Sequence, residues 1–239
     1  MTAEMGNALA NGEFVVYYQP KYDLETECLS SAEALVRWQH PQRGFLPPAE
    51  FIPLFERNGF ITQVDIFVWS TVCKNLRNWI DSGHSPVPIS VNLSRIDIYN
   101  TNLTNIIHQI LEHYDLPPKL LHFEITETSY MDNPKQLIST VTKLKQAGFD
   151  IEMDDFGTGY SSLNMLNEVP VDTLKLDMRF MQQCTSSGND GNILFFIMNL
   201  AKWMDISVVA EGIENREQML FLRSLGCNYG QGYYFAKPM

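Results

Sequence analysis

The sequence predicts an α/β fold, a TIM-type (β/α)8 barrel, and three observations support this fold class. A unit made of a short apolar strand, a polar residue and a helix recurs along residues 87–231, which indicates parallel βαβ connections. Two more strands precede these units and bring the total close to eight, which favours a closed barrel over an open sheet. No Gly-rich fingerprint follows the first strand, which argues against a Rossmann-type sheet.

Composition and periodicity assign the individual elements. Aromatic and β-branched residues predict a first strand at 14–22, which can pair with a strand at 28–38 across a turn at 23–27. Apolar positions that repeat every three or four residues predict helices at 3–12, 49–57 and 62–82. The remaining strands are predicted at 87–91, 120–123, 149–153, 171–174, 206–210 and 227–229, and the remaining helices at 101–114, 134–147, 161–168, 190–204 and 215–225.

The overall composition limits the possible functions. No apolar run reaches the roughly 20 residues that span a bilayer, and the first residues do not resemble a signal peptide. Four scattered cysteines suit a reducing compartment, so we expect a single cytoplasmic domain over residues 1–239. The net charge of −11 argues against binding to nucleic-acid polymers or to an anionic membrane. An anionic ligand stays possible where acids converge on divalent cations.

Polar residues follow the predicted strands, and in a parallel barrel these strand ends share the face that carries the active site. Oxygen donors without sulfur or imidazole favour Mg²⁺ or Mn²⁺ over zinc or copper. The residues expected on this face are Glu33, Asn92, Glu124, Asp154, Asp155, Lys175, Asp177, Glu211 and Gln231.

The Asp154–Asp155 pair and Lys175 each allow more than one interpretation. Asp154 and Asp155 are adjacent carboxylates, which indicates either a cation site or a solvated turn before a helix capped by Ser161 or Ser162. Lys175 is either a Schiff-base nucleophile or a permanent cation among acids, and the density of carboxylates favours the second.

A series of ordered motifs resembles those of the EAL-domain cyclic di-GMP phosphodiesterases and covers nearly the whole chain. The motifs are YQP at 18–20, EALVRW at 33–38, SVNLS at 90–94, FEITE at 123–127, MDDFGTGYSS at 153–162, LKLD at 174–177, AEGIE at 210–214 and GQGYYFAKP at 230–238. The resemblance implies a modified TIM-type barrel whose first strand runs antiparallel to the others. It also implies metal-dependent hydrolysis of cyclic di-GMP to linear pGpG.

The resemblance further implies a role for each matching residue. Two Mg²⁺ or Mn²⁺ ions are expected per site, with Asp154 between them. Lys175 is expected to orient the attacking water, and Glu211 to act as the general base. The metal ligands implied are Glu33, Asn92, Glu124, Asp154 and Asp155, and the substrate-binding residues are Gln19, Leu35, Arg37, Asp177, Glu214 and Gln231.

Three broader expectations come from the same resemblance. Glu127 is expected to anchor the loop at 156–162, which would link the metals to a homodimer contact. The chain is expected to be a domain excised from a longer signalling protein, which could be attached to a membrane elsewhere. The alternative function is a receptor domain that binds cyclic di-GMP without hydrolysing it.

Overall fold

The computed structural model describes residues 5–157, 163–177 and 192–239. Predictions for the positions between these ranges lie outside the description. They include the serine caps at Ser161 and Ser162 and most of the loop at 156–162.

Nine strands form one sheet. Their bounds are β1 Phe14–Asp23, β2 Leu29–His40, β3 Gly44–Leu46, β4 Ile89–Asn92, β5 Leu121–Thr126, β6 Asp150–Phe156, β7 Thr173–Leu176, β8 Ser207–Ala210 and β9 Tyr229–Gln231.

Eight of these strands close into a barrel, as the sequence predicts. β1 pairs antiparallel with β2 on one side and with β9 on the other, and this double pairing closes the ring. All other neighbours around the ring, from β2 and β4 through to β8 and β9, are parallel. The first strand is therefore antiparallel to the rest, as the family resemblance implies. β3 lies outside the ring as a hairpin partner of β2.

Helices surround the barrel in the described part of the chain. Their bounds are α1 Met5–Ala10, α2 Pro48–Asn58, α3 Ile61–Asp81, α4 Arg95–Ile98, α5 Leu103–Tyr114, α6 Glu127–Asp132, α7 Pro134–Gln146, α8 Leu163–Glu168, α9 Asn192–Trp203 and α10 Arg216–Ser224. A 3-10 turn at Pro118–Leu120 precedes β5. Each helix predicted in this part is present, with ends displaced by a few residues. None of the described helices is both long and apolar enough to cross a bilayer.

The apolar core lies between the strands and the surrounding helices. Phe123 on β5 packs edge-on against Trp69 of α3 and against Phe149, so the apolar side of β5 faces outward. Phe14 of β1 stacks on Trp38 of β2, and both rings are buried. Burying one such side chain contributes about 1.5–3 kcal/mol, so this layer stabilises the barrel.

The predicted strand ends need one correction. Glu124 was expected to follow β5, yet β5 continues to Thr126; likewise Asp154 and Asp155 lie inside β6, and Lys175 lies inside β7. The reason is the closed barrel, in which alternate side chains face opposite sides of each strand. Apolar residues cover the outer side while polar residues face the interior, so a charge inside an apolar run does not end the strand.

Candidate active site

Lys175 is the centre of the polar cluster inside the barrel. Its Nζ lies 3.3 Å from Glu33 Oε2 and 2.8 Å from Glu124 Oε2. It also lies 3.1 Å from Asp154 Oδ1 and 3.0 Å from Glu211 Oε1. These four acids come from β2, β5, β6 and the residue after β8, so only barrel closure brings them together. We call this set the upper cluster.

A second lysine lies deeper in the barrel. Lys21 of β1 is fully buried, and its Nζ donates to Ser90 Oγ at 2.8 Å, to Glu124 Oε1 at 3.0 Å and to Glu152 Oε2 at 2.5 Å. Ser90 Oγ also donates to Glu124 Oε1 at 2.6 Å. Glu124 therefore joins this group, which we call the lower cluster, to the upper cluster.

Glu33 also accepts a hydrogen bond from the side-chain amide of Gln231. Gln231 Nε2 donates to Glu33 Oε2 at 2.7 Å and to Gln19 Oε1 at 3.2 Å. Gly232, the next residue, approaches Ile213 so closely that an added Cβ would lie 2.2 Å from its carbonyl oxygen. A side chain at position 232 would therefore push the Gln231 segment away from Glu33.

Both buried lysines stay charged. Burial by itself would lower the pKa of Lys175, but Asp154, Glu124, Glu211 and Glu33 outweigh it and raise the pKa well above its usual value. The pKa of Lys21 is likewise raised, because Glu152 and Glu124 outweigh the effect of burial. A lysine held protonated is a poor nucleophile, so this arrangement argues against the Schiff-base interpretation of Lys175.

Two acids of the upper cluster, Glu33 and Glu211, have raised pKa values. Burial, followed by the charge of Glu124, raises the pKa of Glu33 to about 8. Burial also raises the pKa of Glu211 to about 7, with a smaller contribution from the charge of Asp154. In both acids burial is the main cause of the shift, and the charges of neighbouring carboxylates add to it.

The segment after Asp154 is held by its backbone. Asp155 N–H donates to Asp154 Oδ1 at 2.9 Å, and Asp155 has a φ of 56°, a left-handed value that is uncommon for a non-glycine residue. Gly157 N–H donates to Glu127 Oε2 at 3.2 Å. Glu127 thus contacts the beginning of the loop that it was predicted to anchor.

One cavity adjoins the upper cluster, and a second lies beside it. The first has a volume of about 350 Å³, and its lining includes Leu35 and the polar residues Gln19, Glu33, Asp177, Glu211, Glu214 and Gln231. The second has a volume of about 360 Å³ and lies among α2, α3 and the segment after β4. Leu35 lines both cavities, so one ligand could extend from the first into the second.

Asp65 on α3 is an unusual residue in the wall of the second cavity. It is buried, and its Oδ2 has no hydrogen-bond partner among the described residues. Burial and a hydrogen bond to Asp97 raise its pKa well above the usual value. A ligand in this cavity could supply the hydrogen-bond partner that Asp65 Oδ2 lacks in the described part of the chain.

Comparison with known proteins identifies the family of this chain. The EAL domain profile matches residues 3–238. The chain belongs to the EAL domain family.

Individual relatives of this EAL domain are similar over almost its whole length. It is 36% identical over 236 residues to MucR of Pseudomonas aeruginosa, which is called a bifunctional diguanylate cyclase/cyclic di-GMP phosphodiesterase. The matched region covers 99% of this chain and 34% of MucR. It is 36% identical to the cyclic di-GMP phosphodiesterase RocR of the same organism, of which it covers 60%. A solved complex described as PaMucR phosphodiesterase with c-di-GMP has a TM-score of 0.92 and 35% identity, and covers 100% of this chain and 96% of that one.

The donor atoms of this EAL domain suit a hard divalent cation. Every acid in the two clusters offers oxygen, and five carboxylates face two ammonium groups, which leaves excess negative charge. Asn92 pairs with Glu124 in the β4–β5 register, so its strand position adds an amide at the same edge. Across the described ranges, no three acid, histidine or cysteine side chains already form a cage for a metal, because the acids turn toward Lys175.

Most of the predicted site residues lie together. Arg37 is an exception among the predicted substrate-binding residues, because it lines neither of these two cavities. Its Nη1 donates to Val36 O at 2.9 Å. Its predicted phosphate contact stays a prediction, as do the individual roles assigned to the other residues.

Sequence reasoning missed the lower cluster and Asp65. Lys21 and Glu152 each stand two residues from a predicted site residue on the same strand, Gln19 and Asp154, so an alternating pattern was the available signal. Asp65 interrupts the apolar side of α3 between Val64 and Val68, where a charge is unexpected.

The raised pKa values predict how stability depends on pH in the presence of EDTA. Glu33 and Glu211 bind protons more tightly in the folded chain than in the unfolded chain. Their protonation therefore stabilises the fold fully below pH 4.5, and this contribution is lost as the pH rises through about 7 for Glu211 and about 8 for Glu33. The free energy of unfolding in urea should therefore fall between pH 5.5 and 8.5, by up to about 1.4 kcal/mol per pH unit for each proton lost.

Two substitutions test this assignment. Glu33→Gln mimics the protonated acid, so it should flatten the pH dependence and stabilise the chain at pH 8.5. The matched change Glu50→Gln, at an exposed ion pair on α2, should leave the slope unchanged. A free energy of unfolding that is constant or increases over this range in EDTA would contradict the assignment.

Proposed function

We propose that this EAL domain hydrolyses one phosphodiester bond of cyclic di-GMP and releases linear pGpG. The observation that carries the proposal is the convergence of four acids on Lys175 beside a cavity lined mainly by polar side chains. Relatives that are 35–36% identical over nearly all of this chain are described as cyclic di-GMP phosphodiesterases. The chain spans about a third of the length of the first curated relatives, so activities of their other regions are not transferred.

Two divalent cations, Mg²⁺ or Mn²⁺, would be held by oxygen ligands of the upper cluster. When bound, such ions lower the pKa of a coordinated water and neutralise charge that develops on the phosphate. The proposed ligands are Glu33, Asn92, Glu124, Asp154 and Asp155. The convergence of acid side chains in the upper cluster supports this assignment.

Lys175 and Glu211 would provide the remaining chemistry. Glu211 Oε1 already lies 3.0 Å from Lys175 Nζ, so a water beside both groups can donate to the carboxylate and accept from the ammonium. A pKa of about 7 suits Glu211 to a proton transfer near neutral pH. Lys175 stays charged and orients the water without forming a covalent bond.

The substrate would lie across the two cavities. Gln19, Gln231 and Glu214 supply polar groups for the first guanosine and its phosphate, and Asp177 lies on the same wall. Arg37 is proposed to contact a phosphate after its guanidinium leaves the Val36 carbonyl. Leu35 is half-buried between the cavities, where its side chain can pack against the nucleotide.

Asp65 would recognise a guanine base in the second cavity. The N1–H and N2–H groups of guanine form two adjacent donors that favour the ionised carboxylate, so the base would bind with release of the proton that the raised pKa of Asp65 retains without a ligand. Such an edge would supply the donors that Asp65 Oδ2 lacks among the described residues. The apolar lining of this cavity, which includes Ile52 and Val68, suits the faces of a purine ring.

Glu127 is proposed to couple the acids on β6 to the loop that follows them, and its bond to Gly157 N–H supports this role. The homodimer stays a prediction. Exposed apolar side chains of Phe195, Phe196 and Trp203 on α9 form a surface of the kind that protein partners cover.

A turnover assay tests the proposed reaction. The purified chain with Mn²⁺ or Mg²⁺ should convert cyclic di-GMP to pGpG, and EDTA should stop the conversion. Glu33→Ala removes a proposed ligand and should lower kcat at least about 100-fold, equivalent to about 2.7 kcal/mol of transition-state stabilisation. Glu50→Ala on the exposed side of α2 is the matched control and should keep full turnover.

Two results would count against this function. Tight calorimetric binding of cyclic di-GMP with no product over hours would favour the receptor alternative. Full turnover by Glu33→Ala would refute the ligand assignment while leaving hydrolysis intact.

The role of Asp65 predicts a specific loss of base recognition. Asp65→Asn keeps the size of the side chain but replaces an acceptor with a donor. It should raise the KM for cyclic di-GMP about 10- to 100-fold, since a hydrogen bond to a charged group contributes about 1.5–3 kcal/mol. The change in kcat should be smaller, because Asp65 does not touch the reacting phosphate.

Cyclic di-IMP, which lacks the N2 amino groups, provides the control substrate. The unsubstituted chain should discriminate against it, and the Asp65→Asn variant should lose that discrimination. Equal discrimination by both proteins would show that Asp65 does not read the base.

A further inference from the structure

We propose that the buried pair Lys21–Glu152, together with Ser90, is a positioning device that makes Glu124 present one defined oxygen to the cation site. This inference rests on the proposed function, because it assigns Glu124 to that site. Within the described part of the chain, Lys21 and Glu152 do not line the cavity beside Glu33 and form no hydrogen bond or ion pair with Lys175, so they act through Glu124.

The two oxygens of Glu124 have different partners. Oε1 accepts from Lys21 Nζ at 3.0 Å and from Ser90 Oγ at 2.6 Å, within the lower cluster. Oε2 accepts from Lys175 Nζ at 2.8 Å, within the upper cluster. Because Oε1 is already bound from below, only Oε2 is presented upward, and the carboxylate plane cannot rotate without breaking both lower contacts.

Lys21 is held by Glu152 as well as by Glu124 and Ser90. Glu152 Oε2 lies 2.5 Å from Lys21 Nζ, and Glu152 Oε1 lies 3.1 Å from His122 Nδ1. His122 Nε2 lies 3.5 Å from Asp150 Oδ2, nearer the surface. The ammonium of Lys21 therefore has three oxygen partners from three strands, β4, β5 and β6, and little freedom to move.

Stability alone does not account for this pair. Replacing a buried ion pair with apolar side chains of similar size is often neutral or stabilising, because removing two charges from water is costly. The pair crosses the barrel interior from β1 to β5 and β6, where apolar residues could fill the same space. Groups that hold a metal ligand from behind commonly set its orientation and the affinity of the metal.

The double variant Lys21→Met/Glu152→Leu tests the proposal. It removes one positive and one negative charge, so the net charge near the cations is unchanged and a difference in affinity reports the orientation of Glu124. We expect the dissociation constant for Mn²⁺, measured by calorimetry without nucleotide, to rise about 10- to 100-fold. Circular dichroism and thermal melting should show an intact fold.

The matched control is Lys145→Met/Asp172→Asn. It removes another ion pair beside β6 that has no contact with Glu124, so Mn²⁺ affinity should stay within about twofold of the unsubstituted chain. The single change Ser90→Ala removes only the hydroxyl contact to Oε1. It should fold normally and weaken Mn²⁺ binding by several-fold.

The outcomes separate this inference from the proposed function. Mn²⁺ binding by a folded Lys21→Met/Glu152→Leu variant within about twofold of the unsubstituted chain would overturn the positioning role and leave the proposed function intact. If the double variant fails to fold, unchanged affinity in Ser90→Ala would overturn it in the same way. Failure of the unsubstituted chain to bind Mn²⁺ would overturn both.

Discussion

The ion-pair network around Lys175 is the interaction on which the rest of this structure depends. Four carboxylates lie within 3.3 Å of one ammonium, inside a barrel where water is largely excluded. Burial raises the pKa values of Glu33 and Glu211, and the charges of the neighbouring acids raise them further, so the ionised forms of both acids are disfavoured without an additional cation. A site in this condition favours cations, and the proposed reaction uses that preference.

Barrel closure makes this network possible. Residues that are more than a hundred positions apart meet because β1 pairs with both β2 and β9 and so completes the ring. The interior is arranged in two layers, with Lys21 in the lower and Lys175 in the upper, and Glu124 contacts both. The lower layer would set the geometry of a carboxylate, whereas the upper layer would expose it to cations and substrate.

The fold and the upper cluster could be predicted from sequence because their signals are local or ordered. Alternating strands and helices indicated the barrel, and polar residues such as Glu124 and Lys175 after apolar runs marked its active face. The assignment of those residues to strand ends was wrong, because a closed barrel accepts interior charges within a strand. Lys21 and Glu152 were not found, because the alternating pattern was not followed one step deeper along each strand and their ion pair forms across the barrel. Asp65 was missed because a helix periodicity identifies an apolar side but does not show which cavity lies beside it.

The proposed two-cation site can be tested by the electron paramagnetic resonance spectrum of the unsubstituted chain with two equivalents of Mn²⁺. Ions in two-metal sites lie about 4 Å apart, close enough for their spins to couple. We expect a spin-coupled spectrum that disappears in Glu33→Ala. A spectrum of isolated or free Mn²⁺ at this stoichiometry would contradict the two-cation site.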